Sequence, residues 1–313
     1  MPGLARYQVA GLVLETAAEL PELPPTDAVA TCTFRRGPVA AFPASAAPGD
    51  EWIRTTRRGS AFVLEFAENA RFEIDATGSE IVGDVLGGAP DATLRHLLLD
   101  HVVPRVLALR GHHVLHASAV RGPHGAIGIL GASGWGKSTL ATALARSGMP
   151  LLGDDALVLE PDTHGLRVRA TYPGVRLWAE DVEAAAGPGA SQRTRPVAHY
   201  TGKVRVEVGA EAGIAFEAGS VPLARLYVLD DPEGPAASGI EIEPLRAHDA
   251  FVALARHTFE LDADTAAAHR ATFERLTASP ALRACSALRF PRDRAILDDV
   301  VAAIAADHAR RDR

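Results

Sequence analysis

The sequence predicts an α/β protein with a β-rich region over residues 1–90, followed by a domain over 91–313 that alternates strands and helices and ends in helices. Three observations predict this. Short apolar runs separated by Pro, Gly and Asp fill the first 90 residues. An apolar run, a glycine-rich turn and an amphipathic stretch follow one another over 126–146. Ala/Leu periodicity then runs through 247–258, 264–278 and 292–308. With 313 residues, 47% hydrophobic and 23% charged, the chain has ample material for packed cores, and two domains of ordinary size are expected.

In order along the chain, 7–14, 61–66 and 71–74 read as strands, with Pro21, Pro24, Pro25, Pro43 and Pro48 marking loops. From 91 to 109 the pattern turns helical: Leu94, Leu97, Leu98, His101, Val102 and Arg105 recur at helix spacing, and Pro104 is expected to kink or end that helix. Strands are expected at 114–120 and 126–130, then a helix over Lys137–Arg146 closed by Gly148 and Pro150. Further strands are expected at 156–159, 166–170, 204–208 and 223–229. The small residues, Gly, Pro and Arg of 184–196 read as a mobile loop, and the last five residues as a solvated tail. No internal repeat is present.

The formal net charge of −7 argues against a nucleic-acid binder, which needs a basic surface. Two cysteines, Cys32 and Cys285, stand in no ligand-like spacing, so neither a disulfide framework nor a structural zinc site is expected. Arg6, Glu15 and Glu19 interrupt any signal-peptide pattern, and the most apolar stretch, 97–109, contains Asp100, His101, Pro104 and Arg105. A soluble cytoplasmic protein without a membrane partner is the expectation. Of 32 basic residues only Lys137 and Lys203 are lysines, which suggests that each stands where arginine would not serve.

One of those lysines completes a motif. Gly131, Ala132, Ser133, Gly134, Trp135, Gly136, Lys137, Ser138 and Thr139 match G-x-x-x-x-G-K-[ST] in full, between an apolar strand and an amphipathic helix. Glycines let such a loop turn consecutive N–H groups inward as an anion cradle, and the helix adds its positive end. Lys137 would reach the β- and γ-phosphates of ATP, and the Ser138 hydroxyl would coordinate Mg²⁺. A second element follows at Leu151, Leu152, Gly153, Asp154, Asp155 and Ala156. Here an apolar strand ends in two carboxylates that could divide the work of holding magnesium and accepting a proton from an acceptor hydroxyl.

These stretches, with Leu115, His116, Ala117, Ser118, Ala119 and Val120 before the loop, resemble HPr kinase/phosphorylase and its P-loop relatives, whose nucleotide-binding core is similar to that of phosphoenolpyruvate carboxykinase. The resemblance covers roughly residues 112–160 and continues more weakly to Arg289, Phe290, Pro291, Arg292 and Asp293. It implies a P-loop kinase core, Asp154 as general base, Asp155 as a magnesium or orienting carboxylate, and His116 as a supporting partner of the phosphate site. The two aspartates are exchangeable in these roles. The first 90 residues and the lack of a downstream glycine-rich signature depart from the bifunctional enzymes. Closer similarity is to the shorter HPr-kinase-like proteins associated with peptide natural products, including lasso-peptide precursor kinases. Members of the resembled family can be oligomeric.

Among further candidates, Lys203 and Arg205 share a strand face and are expected either to contact phosphate or acceptor or to be solvated, and Arg176 is a candidate to stabilise the transferring phosphoryl. His112 and His116, on one strand, would stand about 13 Å apart at ~3.3 Å per residue, too far to share zinc. His257 reads as a half-buried packing residue. Trp135 either covers the nucleotide entrance or packs on the N-terminal domain. The leading expectation is a kinase acting on a Ser/Thr hydroxyl of a peptide or protein. A small-molecule kinase and a nucleotide-dependent switch without transfer are the alternatives.

Overall fold

The computed structural model describes residues 3–42, 52–235, 237–261 and 265–310. Pro43, Pro48, the first residue of the helix expected over 264–278 and the last three residues of the tail lie outside these. Two compact units divide the chain: Met1–His112 with Pro196–Thr201, and His113–Arg195 with Gly202–Arg313. The line expected at residue 90 followed the change from strand to helix texture; the helical stretch after it packs within the first unit.

In the first unit β1 (Ala5–Val9), β2 (Leu12–Thr16), β3 (Cys32–Arg36), β4 (Ile53–Arg58), β5 (Ala61–Phe66), β6 (Ala70–Ile74) and β7 (Glu80–Val85) form one sheet in the order β1-β2-β3-β7-β6-β5-β4. The single strand expected over 7–14 is a hairpin, because Ala10 and Gly11 adopt φ of 50° and 84° and reverse the chain. After the sheet, α1 (Asp91–Leu97) runs through a π-helical turn, Leu98–Val102, into α2 (Val103–Leu109). Pro104 does not end the helix, which runs on to Leu109. The ladder has already widened before it, with the Val103 N–H bonded to Leu98 O five residues back, and Pro104 falls in the first turn of α2, where its missing N–H costs little.

In the second unit the strands, in chain order, are β8 (His113–Leu115), β9 (Ala117–Gly122), β10 (Gly125–Leu130), β11 (Leu151–Gly153), β12 (Leu157–Asp162) and β13 (Gly165–Arg169). There follow β14 (Val175–Trp178), β15 (Thr194–Pro196), β16 (Lys203–Val206), β17 (Ser220–Leu229), β18 (Glu241–Pro244) and β19 (Cys285–Arg289). The helices are α3 (Lys137–Arg146), α4 (Val182–Ala186), α5 (Ala247–His257), α6 (Ala266–Thr277) and α7 (Leu297–Ala309). Strands β14, β16 and β15 make a small sheet, and the other nine a large one.

The long strand β17 organises the large sheet. It pairs in parallel with β10 and β19, while its first residues pair antiparallel with β13. Both faces of β10 are buried, which explains its unbroken apolar run. Ile127 and Ile129 join a core with Leu140 and Leu144 of α3, whereas Ala126 and Leu130 join one with Leu157 and Leu254. The strand expected over 114–120 breaks at His116: β8 pairs with β12, and β9 with β10 and β11. His112 and His116 therefore do not stand on one continuous strand, and the separation of about 13 Å expected of them does not apply. The stretch 184–196 is likewise not a bare loop. Its small residues Ala185, Ala186 and Ala190 are buried in the α3 core, and the Glu183 carboxylate accepts from the N–H groups of Gly189 (2.8 Å) and Ser191 (3.0 Å). Among the described residues no helix is long and apolar enough to cross a membrane.

Candidate functional site

The motif loop leaves the end of β10 and enters α3 directly. Gly134 and Gly136 take φ of +84° and +92°, conformations that a side chain would strain, and Gly136 caps the helix from that left-handed geometry. Lys137, the first residue of α3, is buried. Its Nζ donates to Gly131 O (2.9 Å), Ala132 O (3.1 Å) and His116 Nε2 (3.0 Å). Burial brings its pKa down from 10.5 to about 8; the nearby Asp154 carboxylate opposes the fall, while Lys203 and Arg176 add to it.

His116 sits where β8 gives way to β9, and that break turns its ring to the loop. Nδ1 lies 3.1 Å from Asp155 O, which can only accept, while the Lys137 ammonium can only donate to Nε2. The ring is therefore the neutral tautomer with the proton on Nδ1. Burial first, then the charges of Lys137, His257, Arg176 and Lys203, hold its pKa well below the ordinary value. The His116 N–H is bonded to His257 O (2.6 Å), and Phe259 meets the imidazole edge-on. His257 itself is half-buried, its pKa lowered to about 4 chiefly by desolvation.

The two aspartates at the end of β11 face different partners. Asp154 Oδ1 accepts from Ser138 Oγ (2.8 Å) and Ser118 Oγ (2.6 Å), and Oδ2 from the Arg176 backbone N–H (3.1 Å). Asp155 adopts φ of 60°, a left-handed conformation uncommon for a non-glycine residue, and its carboxylate is ion-paired with Arg176. This turn sends consecutive carboxylates in different directions. Asp155 lines a cleft together with Ser133, Lys137, Ser138, Arg176 and Lys203, whereas Asp154 stands behind Ser138. Among the described residues no group of three or more His, Cys, Asp or Glu side chains is arranged to hold a metal. The hydroxyl of Ser138 and the carboxylate of Asp154 nonetheless supply the few hard oxygen donors that magnesium takes when a phosphate completes its shell.

The small sheet brings its cations to the same place. Arg176 lies opposite Arg205, and Trp178 opposite Lys203, so all four share one face. Lys203 Nζ stands 5.6 Å from the centre of the Trp178 ring and lines the cleft. Arg205 turns instead to Tyr172 and is not among the lining residues. Of these three cations Arg176 is the deeply placed one, at 4% exposed. Trp135 packs against the core that α3 shares, and its carbonyl accepts from Arg292 Nη1 (2.9 Å). Ser118 and Arg292 were not singled out by the sequence, although both lie in the stretches that carried the resemblance.

No family model matches this chain, and no curated protein matches it. Among solved structures the HPr(Ser) kinase/phosphatase from Coxiella burnetii is similar, at a TM-score of 0.34 and 13% identity over 64% of this chain and 99% of that one. A likeness of that degree says nothing about chemistry.

Proposed function

We propose that the chain binds a nucleoside triphosphate, ATP in the first instance, with magnesium at residues 131–139, and transfers the terminal phosphate to a hydroxyl group. The observation that carries this reading is the hydrogen bond from Ser138 to Asp154 beside a second carboxylate, Asp155, that opens onto the cleft of Lys137, Arg176 and Lys203. The bond favours the reverse of the division of roles that the resemblance implies. Ser138 and Asp154 would hold magnesium, and Asp155 would accept the proton. Magnesium, once bound, supplies neutralisation of the charge on the β- and γ-phosphate oxygens.

The chain's own groups account for the rest. Lys137 and Arg176 draw the phosphates into the cleft, and Ser118 and the Arg176 N–H hold the Asp154 carboxylate in place. Phosphate oxygens compete with Asp155 for the Arg176 guanidinium, which loosens its hold on that carboxylate and makes it a better base. The acceptor hydroxyl then gives its proton to Asp155 as its oxygen bonds to the γ-phosphorus. The bond from that phosphorus to the bridging oxygen breaks, and the diphosphate leaves. A Ser/Thr hydroxyl of a peptide is the acceptor class that the sequence resemblance favours.

Mass spectrometry of pooled Ser/Thr peptides after incubation with Mg²⁺-ATP tests this. A mass gain of one phosphate is expected with the wild type and not with Asp155→Asn, while that variant keeps its Kd for Mg²⁺-ATP within about threefold. Asp154→Asn is expected to lose the magnesium dependence of binding. Transfer that persists in Asp155→Asn removes that residue from the base role.

A further inference from the structure

A second cleft adjoins the first and shares Gly134, Gly136, Thr139 and Asp181 with it, so the two are continuous along the loop. Its walls differ in kind. Where the first cleft presents the cations Lys137, Arg176 and Lys203 with the carboxylates of Asp155 and Asp181, the second also presents the apolar side chains of Trp135, Leu140, Phe290 and Leu297. The charged side chains among its described lining residues are already engaged. Arg292 donates to Trp135 O (2.9 Å) and to Asp230 O and Oδ1 (2.7 and 2.9 Å), with its guanidinium 4.5 Å from the centre of the Phe290 ring. Arg294 is ion-paired with Asp181 at 2.5 Å, and the Asp293 carboxylate caps the following turn by accepting from the Ala295 N–H (2.9 Å). Thr139, next to Ser138 at the start of α3, belongs to both clefts.

Base discrimination by a protein needs donors and acceptors held in wait for one base edge. Where they exist, analogues lacking the partner group are rejected strongly, and where only apolar contact exists, discrimination is small. Stacking tolerates any base, because every base has a π face. We infer that this second cleft takes the base end of the nucleotide by stacking and apolar contact alone, so that adenine and guanine nucleotides bind alike. The inference rests on the reading of the first cleft as a triphosphate site and goes beyond it to nucleotide selectivity. Arg292 then has a positioning role: it ties the loop at Trp135 to Asp230, just beyond the end of β17, and keeps the Phe290 ring covered on one side.

Calorimetric titration of the full chain with the magnesium complexes of ATP, GTP and tripolyphosphate tests it, alongside a Phe290→Leu variant. The ATP and GTP dissociation constants should agree within about tenfold, and tripolyphosphate should bind more than about tenfold weaker than either. Phe290→Leu should weaken ATP and GTP together and leave tripolyphosphate unchanged. A gap between ATP and GTP of more than about tenfold overturns the inference by revealing a reader of the base edge. Tripolyphosphate as tight as ATP, or weakened equally by Phe290→Leu, overturns the placement of the base. These wild-type comparisons stand even if the variant does not fold. If neither tripolyphosphate nor nucleotide binds, the triphosphate reading itself fails and this inference with it, a result distinct from the others because nothing is held at all.

Discussion

Lys137 offers a test whose size follows from its surroundings. The side chain is 4% exposed, and burial brings its ammonium from 10.5 down to about 8. Only the charged form serves a phosphate. With a pKa of about 8, roughly nine-tenths of the chains carry the charge at pH 7 and about one-tenth at pH 9, so the apparent Kd for Mg²⁺-ATP should rise about tenfold between them. A terminal phosphate, with its last pKa near ~6, is ionised throughout that window and contributes little. Calorimetry at pH 7, 8 and 9 reads the change. Lys137→Arg supplies the control, since a guanidinium keeps its charge and its Kd should stay flat even if weaker. A wild-type Kd that changes by less than about twofold, or an Arg variant with the same slope, would show that the Lys137 ammonium does not titrate in this window. The same burial has a consequence for stability. Because the folded pKa lies below the unfolded one, the cost is fully present below pH 8 and is recovered as pH rises from about 8 to 10.5. At 1.36 kcal/mol per pH unit it amounts to about 3 kcal/mol.

Lys203 contributes to that lowered pKa through its charge, so Lys203→Gln should move the break in the pH profile of nucleotide binding above pH 8; a break that stays or falls contradicts the assignment. In Gly153→Ala the new Cβ would overlap the Thr171 hydroxyl and lie 3.3 Å from Ala156 O, a crowding expected to cost about 1–3 kcal/mol and lower Tm by several degrees. An unchanged thermal transition would mean that Thr171 rotates away freely. Cys32 and Cys285 are buried with thiols pushed up to about 12, so a thiol reagent at pH 8 should label neither until the chain unfolds; prompt labelling of the native protein contradicts their placement.

The loop and its helix were legible because their determinants are local. Gly134 and Gly136 supply the left-handed turns, Gly148 and Pro150 stop the helix, and Lys137–Arg146 has the bounds expected of it. Features set by distant partners were not. The hairpin at Ala10 and Gly11 lacks the Asn-Gly or Asp-Gly signature, and nothing local in 97–104 announces a π turn. The break at His116 arises because β8 and β9 pair with different strands, a matter of topology. Two adjacent aspartates read alike in sequence; the positive φ of Asp155 sends one carboxylate to Ser138 and the other to Arg176. Arg176 was hard to distinguish among so many arginines, since its burial comes from the small sheet folding it inward. The alanines of 184–196 resembled loop composition because α4 needs small residues to lie close to α3.

The most direct test is the magnesium-dependent binding of a triphosphate by the wild type and by Lys137→Ala, measured by calorimetry at pH 7. In this reading the buried Lys137 ammonium gives a charge-assisted hydrogen bond to a phosphate oxygen, and a bond to a charged group contributes about 1.5–3 kcal/mol. The wild type is expected to bind Mg²⁺-ATP, and Lys137→Ala, still folded by circular dichroism, to bind it at least about tenfold more weakly. A wild type that holds no triphosphate, or a folded Lys137→Ala variant that binds as tightly as the wild type, would contradict it.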